Sequence, residues 1–250
     1  MNTSMRTIAA ALLCIAPLCV PSTASAATGD GWEWLVAPYG WAASIGTDLQ
    51  TTTPPSESSS DTSFRNVVDK LDGAFQIHIE GQGDRFGLFT DFTFIGISDT
   101  RDHPRFDIES DLDARLFEFA GVWNPGEGRY RGLDLFAGLR YIDVDFSSQL
   151  EPANPIFPTI RLDAGESFSD FMLGGRYTFA LAERWSLTLR GDGSFGDTDG
   201  TWNASTVVQY RTGNGAWAFG YRYLDAEFEA GGHRTNLTMS GPEIGYAFRF

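Results

Sequence analysis

The chain has few cysteines, and both of them lie near the N-terminus, at Cys14 and Cys19. We predict that residues 1–26 form a secretory signal peptide. A basic start precedes the short apolar run IAAALLCIAPLCV, and Ala24 and Ala26 then form an A-x-A cleavage site. A lipoprotein signal acylated on one cysteine is the alternative, although leucine precedes each cysteine where a small residue is required. The exported domain, 27–250, would then have no thiol for a disulfide or a metal site.

Positive charge is also scarce. The chain has 33 acidic and 18 basic residues, a net charge of −15, and Lys70 is its one lysine. Such an acidic exported domain argues against nucleic acid as a partner. No stretch after the signal approaches the roughly 18 apolar residues of a membrane-spanning helix. These absences leave either a soluble periplasmic protein or a membrane β-barrel.

Apolar and polar residues alternate along most of the exported domain, which indicates β-strands. We predict an all-β fold, a single antiparallel transmembrane β-barrel of ten strands, with eight strands as the alternative. The ten strands are placed at 33–49, 73–81, 85–98, 107–123, 132–148, 167–180, 184–196, 201–211, 215–229 and 235–250. Short turns alternate with connections that include two long loops, 50–72 and 149–166, a pattern typical of bacterial outer-membrane barrels.

Three positions do not fit regular strands, and one loop contains a helical pattern. Pro38 and Pro242 lack a ladder N–H, so we predict bulges there. The apolar parity of the fourth strand changes near 114–116, which predicts another bulge. In the first long loop, residues 63–71 have helical apolar spacing, which predicts a short amphipathic helix.

The C-terminus alternates aromatic and other residues up to its last position. Tyr246, Phe248 and Phe250 occupy every second position. This ending resembles the C-terminal signature of outer-membrane barrels, and the resemblance implies recognition by the barrel assembly machinery. An open sheet ending on an apolar strand would favour aggregation, whereas in a closed barrel this strand pairs with the first.

Charged residues recur at positions predicted to face the lumen. The segments AGLRYIDVDF (137–146) and FGYRYLDAEF (219–228) are near copies, and LGGRYTF (173–179) is a shorter version. We predict a lumen charge network of Arg140, Arg176, Arg190, Arg222, Glu80, Asp91, Asp192 and Glu243, with Glu118 and Asp134 as further candidates. Buried charges must be paired. The network would therefore either fill and close the lumen or line a narrow path for ions or small solutes.

Acidic residues are concentrated at the strand ends predicted to lie outside the cell. The candidates for a cation-binding rim are Asp107, Glu109, Asp111, Asp113, Asp225 and Glu227. Divalent cations prefer carboxylate oxygens and would bridge these groups to lipopolysaccharide phosphates. The alternative is a solvated rim without bound cations. We predict no resident metal and no cofactor.

Enzyme signatures are weak. Asp102-His103 is similar to the Asp/His sites of ten-stranded outer-membrane proteases, but no matching acidic pair can be assigned. We therefore predict no catalytic residues, with a hydrolase using His103 or His233 as the least favoured alternative.

The exported domain as a whole resembles small outer-membrane β-barrels of the OmpA, OmpW and OmpX kind. It is most similar to a group of proteobacterial barrels that share PYGWAA, FRNVVDKLD, WSLTLRGDG, YRYLD and a terminal FRF. The resemblance implies an outer-membrane location, contact with outer-membrane lipid and lipopolysaccharide, and a role in envelope structure or surface interaction. A narrow channel is the alternative.

Overall fold

The structure is a computed structural model that describes residues 31–52, 55–62, 70–103, 106–126, 128–154, 156, 158–230 and 233–250. Its strands are β1 (Glu33–Trp41), β2 (Ser44–Thr52), β3 (Pro55–Thr62), β4 (Leu71–Gln82), β5 (Phe86–His103), β6 (Phe106–Trp123), β7 (Gly132–Pro152), β8 (Ile160–Ala180), β9 (Trp185–Gly196), β10 (Gly200–Thr212), β11 (Gly215–Ala230) and β12 (His233–Arg249). No helix in the described part is long and apolar enough to span a membrane.

The strands form a closed antiparallel barrel. β4 to β12 follow one another in the sheet, and β1 pairs with both β4 and β12. β2 continues β1 along the same partner, since Trp41 lies opposite Glu243 and Ser44 lies opposite Ser240 in one unbroken register. Together β1 and β2 form one barrel strand, which confirms the ten-stranded barrel. β3 is an extra strand paired with β2.

The predicted bulges are wrong. β6 keeps one register with β5 and with β7 through 114–116, and β12 keeps one register with β11 through Pro242. Pro242 instead interrupts the pairing of β12 with its other neighbour, the barrel strand formed by β1 and β2. It accepts a hydrogen bond from the Ala42 N–H at 2.8 Å but has no N–H to donate in return, and the gap between β1 and β2 lies there. Pro38 is the last β1 residue paired with β4.

Strands occupy part of both predicted long loops, 50–72 and 149–166. β7 and β8 stay paired as far as Leu150 and Ile160, and β3 occupies 55–62. Both segments are polar, so their alternation is weaker than in the apolar strands. The predicted helix at 63–71 falls mainly on 63–69, outside the described residues, and Leu71 already begins β4.

The apolar residues lie on the outer face of the barrel wall near the end where β1 begins and β12 ends, and on the inner face near the opposite end. On β7 the outward residues of 133–141 are apolar up to Tyr141, and Asp143 follows; on β11 the outward residues of 217–223 are apolar and Asp225 follows. The apolar band spans nine residues on β7 and seven on β11, close to the roughly 9–11 residues of a membrane-spanning strand. Beyond the band the inward residues are apolar and the outward ones acidic. This inversion, and not a bulge, causes the parity change near 114–116.

Exposed aromatic side chains surround the end of the barrel where β1 begins and β12 ends, here called the termini end. They are Trp34, Phe86, Trp123, Trp185, Trp217 and Phe250, and Tyr210 lies against Trp185 with ring centres 4.8 Å apart. Aromatic residues prefer the membrane–water interface. The opposite end, with the extended hairpins, is called the loop end.

Gly138 provides a test of how tightly the inner wall is packed. A Cβ on this inward glycine would lie 2.0 Å from the Phe119 carbonyl oxygen and 2.5 Å from the Ala120 Cα. We expect Gly138→Ala to destabilise the barrel by about 2 kcal/mol or more, because backbone cannot move aside as a flexible side chain can. Urea unfolding in lipid vesicles, followed as loss of the compact gel band, measures this change.

The matched control is Gly191→Ala, since nothing lies within 4 Å of a Cβ at Gly191. It should change stability by no more than about 0.5 kcal/mol. Equal losses in the two variants would contradict the close packing at Gly138.

Candidate functional site in the barrel lumen

Glu118 is the centre of a buried layer of ion pairs. Its carboxylate accepts hydrogen bonds from Arg140 Nη2 at 2.7 Å, from Arg190 Nη2 at 2.8 Å and from Arg222 Nη2 at 3.3 Å. The Glu118 and Arg140 side chains are both 0% exposed. Three arginines on three different strands therefore converge on one carboxylate of β6, which connects opposite walls of the barrel.

Asp192 is the second carboxylate shared between arginines. It accepts from Arg140 Nη2, from Arg190 Nε at 2.7 Å and from the Asn203 amide at 2.7 Å. Arg140 also donates to Thr201 Oγ1 at 2.6 Å. The Arg190 guanidinium lies over the rings of Phe89 and Phe136, about 5 Å from each ring centre. Every charge in this part of the lumen has several partners, as buried charges require.

Arg176 forms a second group toward the termini end. It binds both oxygens of Glu80, one of them at 2.8 Å, and donates from Nε to Asp134 at 2.8 Å. His78 connects this group to Asp91, since its ring nitrogens lie 3.2 Å from Glu80 Oε2 and 3.1 Å from Asp91 Oδ2. Only the imidazolium form has two N–H donors for two carboxylates. His78 therefore fits this position as a cation.

Arg222 connects the layer to the first strand. Its Nη1 lies 3.3 Å from the Tyr39 hydroxyl and 3.6 Å from Asp91, and its guanidinium lies 5.0 Å from the centre of the Trp41 ring. Tyr39 donates to Asp91 at 2.8 Å. We call the whole set, Arg140, Arg176, Arg190, Arg222, Glu80, Asp91, Glu118, Asp134 and Asp192, the charge layer.

An apolar cluster lies between the charge layer and the loop end. Leu116, Ile142 and Leu224 each lie two residues nearer the loop end than Glu118, Arg140 and Arg222 on the same strands. With them pack Trp41, Ala43, Ile95, Phe168, Ala226, Phe228 and Met239, all of them buried. The Phe168 and Phe228 rings face each other with centres 4.7 Å apart. We call this cluster the apolar cap.

Below the charge layer the lumen is filled on one side only. Phe89, Ala120, Val122, Phe136 and Met172 pack beside β5 to β8. On the other side a cavity of about 180 Å³ extends from Arg222 and Glu243 to Tyr130 and Arg249 at the termini end. Much of its wall is small side chains, among them Ala37, Ala218, Gly245 and Ala247. We call it the lumen cavity.

Glu243 faces this cavity instead of joining the charge layer. No hydrogen bond or ion pair within the described residues connects its carboxylate to an arginine, whereas the other predicted members do have such partners. Gly220 is its neighbour on β11, so Glu243 lies closer to the termini end than Arg222 does. The predicted network therefore assembles without this residue.

The turn at 124–131 lies at the termini-end mouth of the cavity. Asn124 holds it in place by donating to Asp134 at 2.7 Å and to the carbonyls of Gly128 and Arg131. Tyr130, at φ 53°, donates its hydroxyl to the Glu33 carbonyl at 2.8 Å. Burial and the nearby Glu80 and Glu33 hold the pKa of the Tyr130 phenol well above its usual range, so this donor keeps its proton.

The predicted rim residues point outward at the loop end, but arginine occupies part of the rim. Arg115 binds Asp113, Asp143 and Asp145 at 3.3, 2.7 and 2.8 Å. Asp225 accepts from Thr238 at 2.9 Å. The carboxylates at 107, 109, 111 and 227 lie on the same outward face. Among the described residues, no three carboxylate, histidine or thiol groups converge to hold a metal ion. Cation binding at the rim stays a prediction.

The C-terminal aromatics lie on the outer face of β12. Phe248 and Phe250 are exposed, and Tyr246 packs edge-on against Trp217 with ring centres 5.2 Å apart. The backbone of Phe250 exchanges two hydrogen bonds with Trp34, at 2.9 and 3.1 Å, and so fastens the last residue to the first strand. The side chains of His103 and His233, the hydrolase candidates, lie outside the described part of the chain.

Several partners in the lumen were not assigned from the sequence. His78 lies two residues from Glu80 on β4, so alternation alone predicts that it also faces the lumen. Asp170 is buried and bound by Ser194 at 2.8 Å and Thr198 at 2.5 Å, without an arginine. Gln82 and Asn124 secure Glu80 and Asp134 by amide donors. Neutral partners of this kind carry no charge pattern that a sequence could show.

Comparison with known proteins supports the fold. No family model matches the chain, and no curated protein sequence matches it. The outer-membrane protease OmpT from Escherichia coli superposes with a TM-score of 0.53 at 10% identity, covering 92% of this chain and 100% of OmpT. Ail of Yersinia pestis (TM-score 0.41, 8% identity, covering 89% and 100%) and CarO of Acinetobacter baumannii (0.31, 12%, 83% and 97%) are more distant.

The closed ten-stranded barrel, its apolar outer band and the similarity to OmpT define the class of protein. The chain has the fold of a small outer-membrane β-barrel. At 10% identity the similarity extends to the fold alone, and the protease activity belongs to OmpT.

Proposed function

We propose that the chain is a non-enzymatic integral outer-membrane protein with a closed lumen that serves envelope structure or surface interaction. The observation that carries the proposal is the charge layer: Arg140 and Glu118 are fully buried at its centre, and the apolar cap lies directly above it. We expect two successive layers of interlocked side chains to leave ions no hydrated route at that level.

The proposed orientation places the termini end in the periplasm and the loop end outside the cell, following the turn and loop pattern of bacterial barrels. The apolar band would then contact outer-membrane lipid. The projecting acidic wall would face lipopolysaccharide, with divalent cations bridging the rim carboxylates to its phosphates. Tyr246, Phe248 and Phe250 would be presented to the barrel assembly machinery during insertion.

Conductance measurements on the purified chain in planar bilayers test the closed lumen. We expect no steady, resolvable openings, because the charge layer and the apolar cap both block the lumen. Insertion is checked separately, since a folded barrel and its heated form should migrate differently on a gel. Steady openings from correctly folded protein would overturn the closed-lumen proposal.

A narrow channel for ions or small solutes is the second candidate. The lumen cavity favours it, because about 180 Å³ of space already connects the charge layer with the termini end. A channel would need the charge layer and the apolar cap to rearrange.

A further inference from the structure

One buried polar atom at the termini end has no partner. Among the fully buried side-chain nitrogen and oxygen atoms of the described residues, Arg249 Nε alone lacks a hydrogen bond. The rest of this guanidinium is engaged, because Nη1 lies 3.5 Å from Glu33 and the group lies 5.1 Å from the Tyr130 ring centre. An unpaired buried donor on a charged group is costly and rare in folded proteins, and it indicates an absent acceptor.

Arg249 belongs to a group of arginines around the opening of the lumen. A small cavity of about 20 Å³ adjoins the lumen cavity, and Arg249, Tyr130, Thr178 and Gln209 line both. Among the described residues its wall also includes Arg131, Arg184 and Arg211, with Glu183 as the one carboxylate that lines it. We call Arg131, Arg184, Arg211 and Arg249 the arginine mouth.

The charge of the arginine mouth is opposite to that of the chain as a whole. Among the described residues, four guanidinium groups line this opening with one carboxylate, Glu183, and a second carboxylate, Glu33, pairs with Arg249 at 3.5 Å. The net charge of the chain, in contrast, is −15. The nearby Arg129 differs, because it pairs with Asp84 at 2.8 Å. In the charge layer every arginine has a carboxylate partner, whereas no ion pair within the described residues neutralises Arg131, Arg184 or Arg211. The excess of positive charge is therefore local to the mouth.

Guanidinium groups present planar pairs of N–H donors that match the oxygens of phosphate and carboxylate. A cationic ligand would be repelled here, and a neutral one would leave the charges unbalanced. Trp185 also lines the small cavity and is exposed on the outer wall, so the site borders the level of lipid headgroups. Both dissolved anions and the headgroups of anionic lipids can reach this level.

We propose that the arginine mouth binds a phosphate oxyanion at the termini end of the barrel. The phosphate is either free in solution or part of an anionic phospholipid headgroup. Arg131, Arg184 and Arg211 supply exposed donors, and Arg249 Nε supplies the buried one. The bound oxyanion balances the local positive charge and accepts the unpaired hydrogen bond.

Two titrations of the full chain test the site and distinguish the two sources. In a neutral detergent, calorimetry measures binding of inorganic phosphate. In lipid vesicles, the affinity for phosphatidylglycerol is compared with that for phosphatidylcholine. We expect one of the two anionic probes to bind with a Kd of about 1 mM or tighter, and to bind more weakly as salt is added. Failure of both probes to bind more tightly than about 10 mM would overturn the proposal.

The variants are chosen to leave the fold intact. Arg184→Gln combined with Arg211→Gln removes two exposed charges and should weaken binding at least about tenfold, and Arg249→Gln should do so independently. Arg161→Gln is the control, because it removes one exposed positive charge at the loop end. Equal weakening by the control would show that only overall charge matters and would refute a site at the mouth. The gel shift on heating confirms that each variant is folded.

Discussion

Replacing Glu118 with alanine is expected to destabilise the barrel by about 3–5 kcal/mol, the cost of leaving buried charges without their partner. The expected loss is large because Arg140, Arg190 and Arg222 all donate to this one carboxylate. Arg140 is the most affected, since its side chain is fully buried and water cannot replace the lost acceptor. Urea unfolding in lipid vesicles, followed by the gel shift on heating, measures the change in the free energy of unfolding.

Glu109→Ala is the matched control for this prediction. Glu109 lies on the same strand, but its side chain is exposed on the outer wall. The same change there should cost no more than about 0.5 kcal/mol. A loss of less than about 1 kcal/mol in Glu118→Ala would mean that the charge layer contributes little to stability.

Replacing both partners of a buried pair has a different consequence from replacing one. When the charges are removed together, no unpaired charge remains, and well-packed neutral replacements are often tolerated. This difference separates the role of the charge layer in stability from its role in closing the lumen, because a neutral layer can be made without leaving a lone charge.

Strand positions and facing directions were largely predictable from the sequence. The alternation around Arg140 and Arg222 gives their inward direction without any knowledge of the barrel. The partners across the lumen were less predictable, because they depend on strand tilt and stagger, which join residues far apart in sequence. Arg176 and Glu80, for example, are on β8 and β4 and meet only through that geometry. Glu243 has the predicted inward parity, but its level in the barrel places it beside the cavity.

The wall beyond the membrane band was the main source of error. A membrane barrel is apolar outside and polar inside only where lipid surrounds it. In the projecting part the surroundings are water, so the acidic face turns outward and Leu116, Ile142 and Leu224 fill the interior. Alternation is continuous through this change, and only the identity of the apolar face is exchanged. The loop-end parts of β7 and β8 extend beyond the predicted strands because these polar segments alternate only weakly.

If the apolar cap and the charge layer act as two barriers in series, as the closed-lumen proposal requires, conductance should change in an all-or-none manner. A layer with a neutral centre, called the neutral layer, is made by changing Arg140, Arg190, Glu118 and Asp192 to serine, and Arg222 then keeps Asp91, 3.6 Å away, as its charged partner. This variant should stay closed because the cap remains. Phe168→Ala with Phe228→Ala should also stay closed, because the paired charges below still fill the lumen. Only the combination of both sets is expected to give steady, resolvable openings in planar bilayers.

Each part of this result has a distinct meaning. If the neutral layer alone conducts, the cap is not a barrier and the ion pairs alone close the lumen. If the phenylalanine variant alone conducts, the charge layer allows ions to pass and the narrow-channel proposal is favoured. If the combined variant is folded, as judged by its gel shift on heating, but remains closed, a third barrier exists. Two barriers in series are supported only if the neutral layer and the phenylalanine variant each show no conductance and the combined variant conducts. Two independent barriers must both be removed before ions can cross.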